Sequence, residues 1–165
     1  MAFVALGSNL GDSARFLRAA VARLEEWSAL PLLRSSFWRS TPVDCPPGSP
    51  PFVNTVVGLS PIPGETPRSL LGRLQALETE LGRQPKRVVN EPRCIDLDLI
   101  AFGRQVMQEP DLILPHPRAH RRRFVLQPLA EIAPDWVLPL QTRSVRELLA
   151  DLDSDEVLTL LEPAC

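Results

Sequence analysis

The order of apolar and polar residues along the chain predicts a series of short strands and amphipathic helices. Ala2–Leu6 is a short apolar run with the composition of a buried strand. Apolar residues then recur with a helical period between positions 17 and 27, which predicts a helix. Asp12 or Ser13 is placed to cap the start of this helix, and its end is expected before Pro31.

A proline-rich segment separates the next two predicted strands. Leu32–Ser40 and Phe52–Leu59 contain the β-branched and aromatic residues that favour strands. Between them, residues 41–51 include five prolines, which exclude a helix and a central strand. A loop of this length inside a compact domain is typical of a lid or a binding loop.

The most regular local pattern is a leucine stripe that predicts a second helix. Thr66 is placed as the N-cap and Pro67 as the first helical residue, and Gly82 is placed as the C-cap. The stripe consists of Leu70, Leu71, Leu74, Leu77 and Leu81. A basic segment without periodicity, Arg83–Pro92, follows this helix.

The next stretch carries two aspartates on one side of a predicted strand. Alternate positions of this strand fall into two sets: Ile95, Leu97, Leu99 and Ala101 on one face, and Asp96, Asp98, Ile100 and Phe102 on the other. Successive side chains of a strand point to opposite faces, so both carboxylates share a face, about 6.5–7 Å apart. Mg²⁺ would relieve their repulsion, since it prefers one or two carboxylates together with phosphate oxygens. The alternative is an edge strand whose aspartates face water and pair with Arg93.

The remaining elements complete an α+β pattern. We expect a short hairpin in which Gly103–Gln105 turns into Val106–Met107, an extended Leu114–Arg118, a helix from Arg121 to about Ala133, a helix over Ser144–Leu152 and an edge strand at Val157–Leu161. The order β-α-β-β-α-β is typical of the ferredoxin-like arrangement, with an antiparallel sheet and helices. Because the sequence contains no repeat and no linker, we expect residues 1–165 to form a single domain.

Composition and charge narrow the classes of partner. The chain is 44% hydrophobic and 23% charged, as in an ordinary globular protein, and its net charge of −2 excludes a general binder of polyanions. Basic residues gather at positions 83–93 and 118–123. Two local basic clusters on a mildly acidic protein suit a small polyphosphate better than a nucleic acid.

The cysteines and the apolar segments indicate the compartment. Cys45, Cys94 and Cys165 are odd in number and widely spaced, so we predict neither a disulfide framework nor a zinc site. The N-terminal region lacks the pattern of a signal peptide. No apolar stretch approaches the roughly 18–20 residues that span a bilayer. We therefore expect a cytoplasmic protein with no membrane partner.

Six motifs occur in an order that resembles one enzyme family. They are Leu6-Gly7-Ser8-Asn9-Leu10-Gly11-Asp12; Arg39-Ser40-Thr41-Pro42 with Phe52-Val53-Asn54; Gln75-x-x-Glu78 with Leu81-Gly82-Arg83; Pro92-Arg93-x-Ile95-Asp96-Leu97-Asp98-Leu99; Leu114-Pro115-His116-Pro117-Arg118; and Phe124-Val125-Leu126-x-Pro128-Leu129. Each motif is weak alone, but the ordered set is specific. From Phe3 to about Asp135 the chain resembles the 6-hydroxymethyl-7,8-dihydropterin pyrophosphokinases of folate synthesis.

The resemblance implies a reaction and its cofactors. In this family ATP and 6-hydroxymethyl-7,8-dihydropterin give AMP and the pterin pyrophosphate, as the hydroxymethyl oxygen attacks the β-phosphorus. ATP is the co-substrate and two Mg²⁺ ions are required. The chemistry suits the local pattern, because phosphoryl transfer depends mainly on positioning and on stabilisation of charge. We expect a monomer that acts on these small molecules and binds no nucleic acid.

The resemblance also implies roles for the residues at matching positions. Asp96 and Asp98 would hold the metal ions, and Arg83 and Arg93 would be catalytic. The ATP site would consist of Gln75, Glu78, Arg93, Leu99, His116 and Arg122. The pterin site would consist of Thr41, Pro42, Val43, Phe52, Asn54 and Phe124. The two aromatic rings would stack on the flat pterin, and the amide would bond its edge.

The basic segment departs from the family pattern. Pro85, Val89, Asn90 and Glu91 stand where many or some members have an arginine, a basic residue, a tryptophan and a small residue. The fold and the reaction are expected to survive these changes. ATP affinity and the closure of this segment over the substrates are expected to differ.

Two other functions fit parts of the pattern. A Mg²⁺-dependent nucleotidyltransferase would use a Gly-Ser motif with D-x-D and would release pyrophosphate, but here Ser8 lies far from Asp96 in the sequence. A non-catalytic ferredoxin-like binding module would leave the proline loop, the basic segment and the carboxylate pair without a common purpose. Product analysis separates the three classes.

Overall fold

The computed structural model describes residues 1–42 and 44–164, so Val43 and Cys165 lie outside the description. The strands are β1 (Ala2–Ser8), β2 (Leu33–Arg34), β3 (Phe37–Ser40), β4 (Phe52–Leu59), β5 (Asp96–Phe102), β6 (Met107–Glu109), β7 (Leu112–Leu114) and β8 (Leu158–Glu162). The helices are α1 (Ser13–Glu26), α2 (Pro67–Glu80), α3 (Arg123–Ile132) and α4 (Val145–Ala150), with a 3₁₀ turn at Ala119–Arg121. These elements confirm most of the predicted pattern.

The main sheet has the strand order β5-β1-β4-β3-β8, and its neighbouring strands run antiparallel. The short strand β2 pairs with β4 as well. Because β4 lies between β1 and β3, and β1 lies between β4 and β5, both helical crossovers skip one strand. This is the split βαβ topology, and the predicted ferredoxin-like α+β fold is confirmed. The predicted edge strand is also confirmed, because β8 ends the sheet.

The prediction of one continuous strand over Leu32–Ser40 is wrong, because the strand is interrupted at Ser35 and Ser36. The N–H of Val56 donates to the Ser35 hydroxyl at 2.9 Å. The N–H of Ser36 donates to the Glu131 carboxylate of α3 at 3.2 Å. The N–H groups of Val56 and Ser36 thus bond side-chain oxygens and not backbone carbonyls of a neighbouring strand. The segment therefore divides into β2 and β3.

Helices cover both faces of the sheet. On one face α1 and α2 bury an apolar cluster that includes Leu6, Leu17, Leu24, Leu70, Leu74 and Leu99. On the other face α3 and α4 bury a cluster that includes Phe3, Val56, Ile100, Val125, Leu129 and Val145. Each helix thus packs its apolar stripe against the sheet and buries it from water. This burial is the main driving force for the arrangement.

A β-bulge changes the predicted faces of β5. Phe3 pairs with Ala101 and Val4 pairs with Leu99, so Ile100 has no direct partner on β1. The extra residue reverses the alternation beyond it. Ile100 therefore belongs to the α3–α4 face, whereas Phe102 belongs to the α1–α2 core. The predicted common face of Ile100 and Phe102 is wrong.

Two further boundaries differ from the predictions. Leu81 is the C-cap of α2, and Gly82 follows it with a φ of 101°, a conformation that costs glycine little. The last helix is shorter than predicted, since Ser144 is its N-cap and Ala150 its last residue.

The predicted hairpin after β5 is also wrong. The strand that begins at Met107 pairs with Leu112–Leu114 and not with β5. The edge of β5 is partly occupied by the segment after β7, because the N–H of His116 donates to the Ile100 carbonyl at 2.8 Å. None of the helices described in residues 1–42 and 44–164 has the length and apolar character needed to span a bilayer.

Truncation of a core leucine should cost far more stability than truncation of a surface leucine. Leu74 on α2 is fully buried, whereas Leu30 is 64% exposed. Leu74→Ala is expected to lower the free energy of unfolding by about 2–5 kcal/mol, because a cavity remains. Leu30→Ala should change it by about 0.5 kcal/mol or less. Urea unfolding followed by circular dichroism measures both, and similar midpoints for the two variants would contradict the core assignment.

Candidate active site

The α3–α4 layer leaves one end of its sheet face uncovered, and a cleft opens there. Gly7 on β1 pairs with both Asn54 on β4 and Asp96 on β5, so the three positions lie side by side. Two loops border the cleft: the proline loop, residues 41–51, and the basic loop, residues 83–92. The lining residues are Ala5, Leu6, Gly7, Ser40, Thr41, Cys45, Phe52, Asn54, Lys86, Asn90, Arg93, Asp96, Asp98, His116, Arg118, Arg122 and Phe124.

The two carboxylates share one face of β5, as predicted, and both line the cleft. Asp98 pairs with Ala5 and Asp96 with Gly7 across the sheet. Asp96 accepts a hydrogen bond from Arg83 at 2.7 Å and forms an ion pair with Arg93 at 3.3 Å. Burial, and then the negative charge of Asp96, raise the pKa of Asp98. The site therefore favours additional positive charge beside Asp98.

The donor set fits a divalent cation that shares its coordination with a substrate. Asp96 and Asp98 offer hard carboxylate oxygens, which Mg²⁺ prefers. Within residues 1–42 and 44–164 there is no cluster of three or more His, Cys, Asp or Glu residues suited to hold a metal. Mg²⁺ commonly takes one or two carboxylates and completes its shell with water and phosphate oxygens. The pair fits such a shared site.

Arg93 has donor capacity left for a ligand. Its Nε is buried and has no hydrogen-bond partner in the described part of the chain, whereas its Nη1 donates to the Glu91 carbonyl at 3.0 Å. Its guanidinium lies 5.1 Å from the centre of the Phe52 ring. A buried N–H without a partner is costly, and a phosphate oxygen is a strong acceptor for it. The geometry therefore suits Arg93 to an anionic group in the cleft.

The structure separates Arg83, Glu78 and Gln75 from the main cleft. Arg83 bonds both Glu78 and Asp96, and it lines a neighbouring groove with Glu78 and Gln75. Lys86 lines both the groove and the cleft, so the two are contiguous. Burial raises the pKa of Glu78 to about 7, although the Arg83 charge opposes this shift. Gln75 and Glu78, which the resemblance assigns to the ATP site, thus line a groove next to the cleft and not the cleft itself.

His116 and Arg122 meet at the other side of the carboxylates. Burial, and then the positive charges of Arg122 and Arg118, lower the pKa of His116 to about 4. The imidazole is therefore neutral at pH 7. The N–H of Arg118 donates to its Nδ1 at 3.2 Å, so Nε2 carries the proton and remains a donor.

Leu99 does not bring its side chain into the cleft. The side chain is 5% exposed and belongs to the α1–α2 core. Leu99 instead lines a separate surface groove, together with Asp98 and His116. A contact of Leu99 with ATP would therefore concern this groove and not the main cleft.

Four of the six predicted pterin residues line the cleft: Thr41, Phe52, Asn54 and Phe124. Pro42 is not among the lining residues, and Val43 lies outside the described residues. The Asn54 Nδ2 donates to the Ser40 hydroxyl at 2.6 Å, which fixes the amide. The Asn54 Oδ1 lies 3.1 Å from the position that a Cβ on Gly7 would occupy. A side chain at position 7 would crowd this amide.

Sequence reasoning missed several residues that line the cleft. Gly7 and Ser40 belong to the quoted motifs, but only strand pairing reveals that they contact Asn54. Arg118 also belongs to a quoted motif and adds a second positive charge near His116, beside that of Arg122. Lys86 and Asn90 reach the cleft from the basic loop. The sequence carries no local signal for these last two contacts, because loop conformation decides them.

The fold and the site together define a class of protein. A carboxylate pair suited to Mg²⁺ lies in one cleft with arginines and with two aromatic rings. Phosphoryl transfer requires positioning and charge stabilisation more than covalent chemistry, and this arrangement supplies both. The class is that of the transferases that act on phosphorylated substrates.

The family follows from comparison with known proteins. The model of the 7,8-dihydro-6-hydroxymethylpterin-pyrophosphokinase family matches residues 3–134, and the chain belongs to this family. The Haemophilus influenzae protein named 2-amino-4-hydroxy-6-hydroxymethyldihydropteridine pyrophosphokinase is 36% identical over 160 residues, which cover 96% of this chain and 97% of the relative. The Bacillus subtilis protein of the same name is 41% identical over 133 residues, or 80% of this chain and 77% of the relative.

Longer proteins contain the same kind of chain. The folic acid synthesis protein fol1 of Pneumocystis carinii is 36% identical over 162 residues, which cover 96% of this chain but 21% of that protein. The crystal structure of Plasmodium falciparum HPPK-DHPS with pteroate matches with a TM-score of 0.70 and 12% identity, covering 90% of this chain and 43% of the other. At this identity the structural likeness concerns the fold alone.

Replacement of Asp98 with asparagine should stabilise the metal-free protein at high pH. The pKa of Asp98 is raised in the folded state. The folded state therefore loses stability as the pH rises from the unfolded value of about 4 to the raised folded pKa, and the loss is complete above the folded pKa. In EDTA at pH 8, Asp98→Asn is expected to gain on the order of 1 kcal/mol or more, since one pKa unit corresponds to about 1.4 kcal/mol. The gain should shrink as the pH falls toward 4.

Thermal unfolding in EDTA across this pH range measures the effect. Asp153→Asn, at an exposed position, is the control and should change little. Added Mg²⁺ should stabilise the parent protein and not Asp98→Asn. A lower Tm for Asp98→Asn in EDTA at pH 8 would contradict the account of the carboxylate pair.

Proposed function

We propose that this protein transfers pyrophosphate from ATP to the hydroxymethyl group of 6-hydroxymethyl-7,8-dihydropterin, giving AMP and the pterin pyrophosphate. The observation that carries the proposal is the shared cleft. Its lining offers carboxylates and arginines for a polyphosphate, together with two aromatic rings and an amide for a flat heterocycle. Membership of the pyrophosphokinase family supports the same substrates.

The pterin would lie between Phe52 and Phe124. Offset stacking on an aromatic ring is worth about 0.5–1.5 kcal/mol beyond the buried area. The Ser40 hydroxyl accepts from one N–H of the Asn54 amide, which leaves the Asn54 carbonyl oxygen and the second N–H for the pterin edge. Thr41 would contact the same edge from the proline loop.

The phosphates of ATP would meet Arg93, Arg122 and His116. The buried Arg93 Nε has the capacity for one more hydrogen bond. Neutral His116 donates from Nε2 without adding charge. Arg83, with Glu78 and Gln75, would extend the ATP site into the neighbouring groove. Arginine suits these positions because its planar guanidinium binds phosphate oxygens in pairs.

Asp96 and Asp98 would hold Mg²⁺, with two ions as the proposed number. When bound, Mg²⁺ neutralises charge on the phosphates and orients them. Asp98 needs such positive charge, because burial and the negative charge of Asp96 disfavour its ionised form. Both requirements are met by the same ions.

The nucleotidyltransferase alternative is disfavoured by the position of Ser8. The sheet does bring the Gly-Ser motif close to the carboxylates, since Gly7 pairs with Asp96. However, the buried Ser8 hydroxyl donates to the Ser13 hydroxyl at 2.9 Å, at the start of α1. It is thus engaged away from a phosphate in the cleft.

The direct test is an incubation with Mg²⁺, ATP and 6-hydroxymethyl-7,8-dihydropterin, with the nucleotides resolved by chromatography. Pterin-dependent AMP is the expected product. Asp96→Ala and Asp98→Ala should nearly abolish it, because each removes a metal ligand. ADP would indicate simple phosphoryl transfer, and released pyrophosphate would indicate nucleotidyl transfer; either result would overturn the proposal.

Loss of the Arg93 guanidinium should lower kcat more than it raises the KM for ATP. Arg93→Ala is expected to reduce kcat on the order of 100-fold, because its contact with the transferred group strengthens in the transition state. Arg104, an exposed arginine, provides the control, and Arg104→Ala should keep the parental kcat. An unchanged kcat in Arg93→Ala would remove this residue from the catalytic set.

Loss of the Phe124 ring should weaken the pterin more than ATP. Phe124→Ala is expected to raise the Kd for the pterin by about tenfold, because one stacking surface is removed. Phe37→Ala, at a part-buried phenylalanine that does not line the cleft, should leave both affinities near their parental values. Isothermal titration measures both ligands, and a larger effect on ATP would reassign the pocket.

A further inference from the structure

The Gly7-Ser8-Asn9 motif at the end of β1 has a role that the substrates alone do not explain. Asn9 is a polar residue and is only 3% exposed. A buried amide is costly unless its hydrogen bonds are satisfied. The partners of Asn9 therefore indicate what the position is for.

Asn9 joins two segments that are far apart in the sequence. Its Oδ1 accepts from the N–H of Arg93 at 2.9 Å, and its own N–H donates to the Arg93 carbonyl at 3.0 Å. Its Nδ2 donates to the Pro50 carbonyl at 3.2 Å. Only one orientation of the amide suits this set, because Oδ1 faces a donor and Nδ2 faces an acceptor.

The two partners stand at the ends of the loops that border the cleft. Pro50 lies near the end of the proline loop, two residues before Phe52. Arg93 directly follows the basic loop. The loops also meet at a second point, where the Asn90 side chain donates to the Asp44 carbonyl at 2.7 Å. One buried side chain directly after β1 thus ties the ends of both loops to the sheet.

The tie at Asn9 also governs the contact between the two halves of the cleft. Arg93 stacks over Phe52 at 5.1 Å, so the phosphate-side cation rests on the pterin-side ring. Both residues lie within two positions of a backbone group that Asn9 holds. A shift of either loop end, at Pro50 or at Arg93, would therefore disturb the contact between Arg93 and Phe52.

We propose that Asn9 is a positioning residue that couples the pterin half of the cleft to the phosphate half. It sets the backbone of Arg93 through two hydrogen bonds and the approach to Phe52 through a third. The role deepens the proposed function and rests on it for its kinetic readout. Asn9 itself does not line the cleft, so it acts through Arg93 and Phe52.

Two substitutions separate the two ties. Asn9→Asp keeps an acceptor for the Arg93 N–H but sets a carboxylate oxygen against the Pro50 carbonyl. It should raise the KM for the pterin by about tenfold with a smaller change in kcat, since the loss of a buried hydrogen bond has roughly this effect. Asn9→Leu is similar in size and removes both side-chain hydrogen bonds, to the Arg93 N–H and to the Pro50 carbonyl, so kcat should also fall by about tenfold or more.

Ser13→Ala is the matched control. It removes a hydrogen bond from the same turn, because Ser13 is the partner of the Ser8 hydroxyl. Within residues 1–42 and 44–164, no side-chain hydrogen bond joins Ser13 to either loop. Its kcat and KM should stay near the parental values. Equal losses in Ser13→Ala and Asn9→Leu would mean that the turn is merely structural, and the proposal would fail.

A double mutant tests whether Asn9 acts through Arg93. If it does, Asn9→Leu should reduce kcat little further in an Arg93→Ala background. Fully multiplicative losses would overturn the proposal.

Hydrogen exchange supplies a readout that does not depend on activity. Asn9→Leu should speed exchange of the backbone amides in residues 83–93 and at Gly48 and Ser49 of the proline loop, whereas Ser13→Ala should not. Unchanged exchange in both loops would refute the coupling even in a folded variant. If the parent protein made no pterin-dependent AMP, the proposed function would fail, and the exchange result would still decide the role of Asn9.

Discussion

The repulsion between two carboxylates on one strand face is the constraint on which the site depends. Asp96 is held by Arg83 and Arg93, whereas Asp98 is buried beside it and has its pKa raised. Without such pairing, the strand would place two like charges in a partly desolvated cleft. The basic loop, the arginines near α3 and the proposed metal ions all supply the missing positive charge. The clustering of basic residues around the cleft thus complements the two carboxylates on β5.

The strand order of the sheet determines which residues lie beside the carboxylates of β5. Its strand order sets β1 between β4 and β5, so Gly7 stands between Asn54 and Asp96. The proposed pterin and phosphate subsites are therefore adjacent, because two strand pairings share one central strand. The absence of a side chain at Gly7 leaves room for the Asn54 amide, which lies close above it. The antiparallel fold alone brings together residues that are more than forty positions apart in the chain.

Local patterns predicted the elements well and the contacts poorly. Alternation was enough to place Asp96 and Asp98 on one face, and the leucine stripe and the Thr66 cap were enough to define α2. The bulge at Ile100 and the break at Ser35 were not predictable, because each depends on partners in distant segments. The same holds for the site. Its motifs indicated the chemistry, but strand pairing and loop conformation decide which residues meet in the cleft.

The pairing of arginines with aromatic rings has a consequence for inhibition. Arg93 lies over Phe52, and Arg122 lies 5.2 Å from the ring centre of Phe124. Each ring that would hold the heterocycle also supports a cation that would hold the phosphates. A mutation that excludes a competitive drug by changing either ring would displace one of these cations and slow turnover. Resistance at these two positions would therefore carry its own fitness cost.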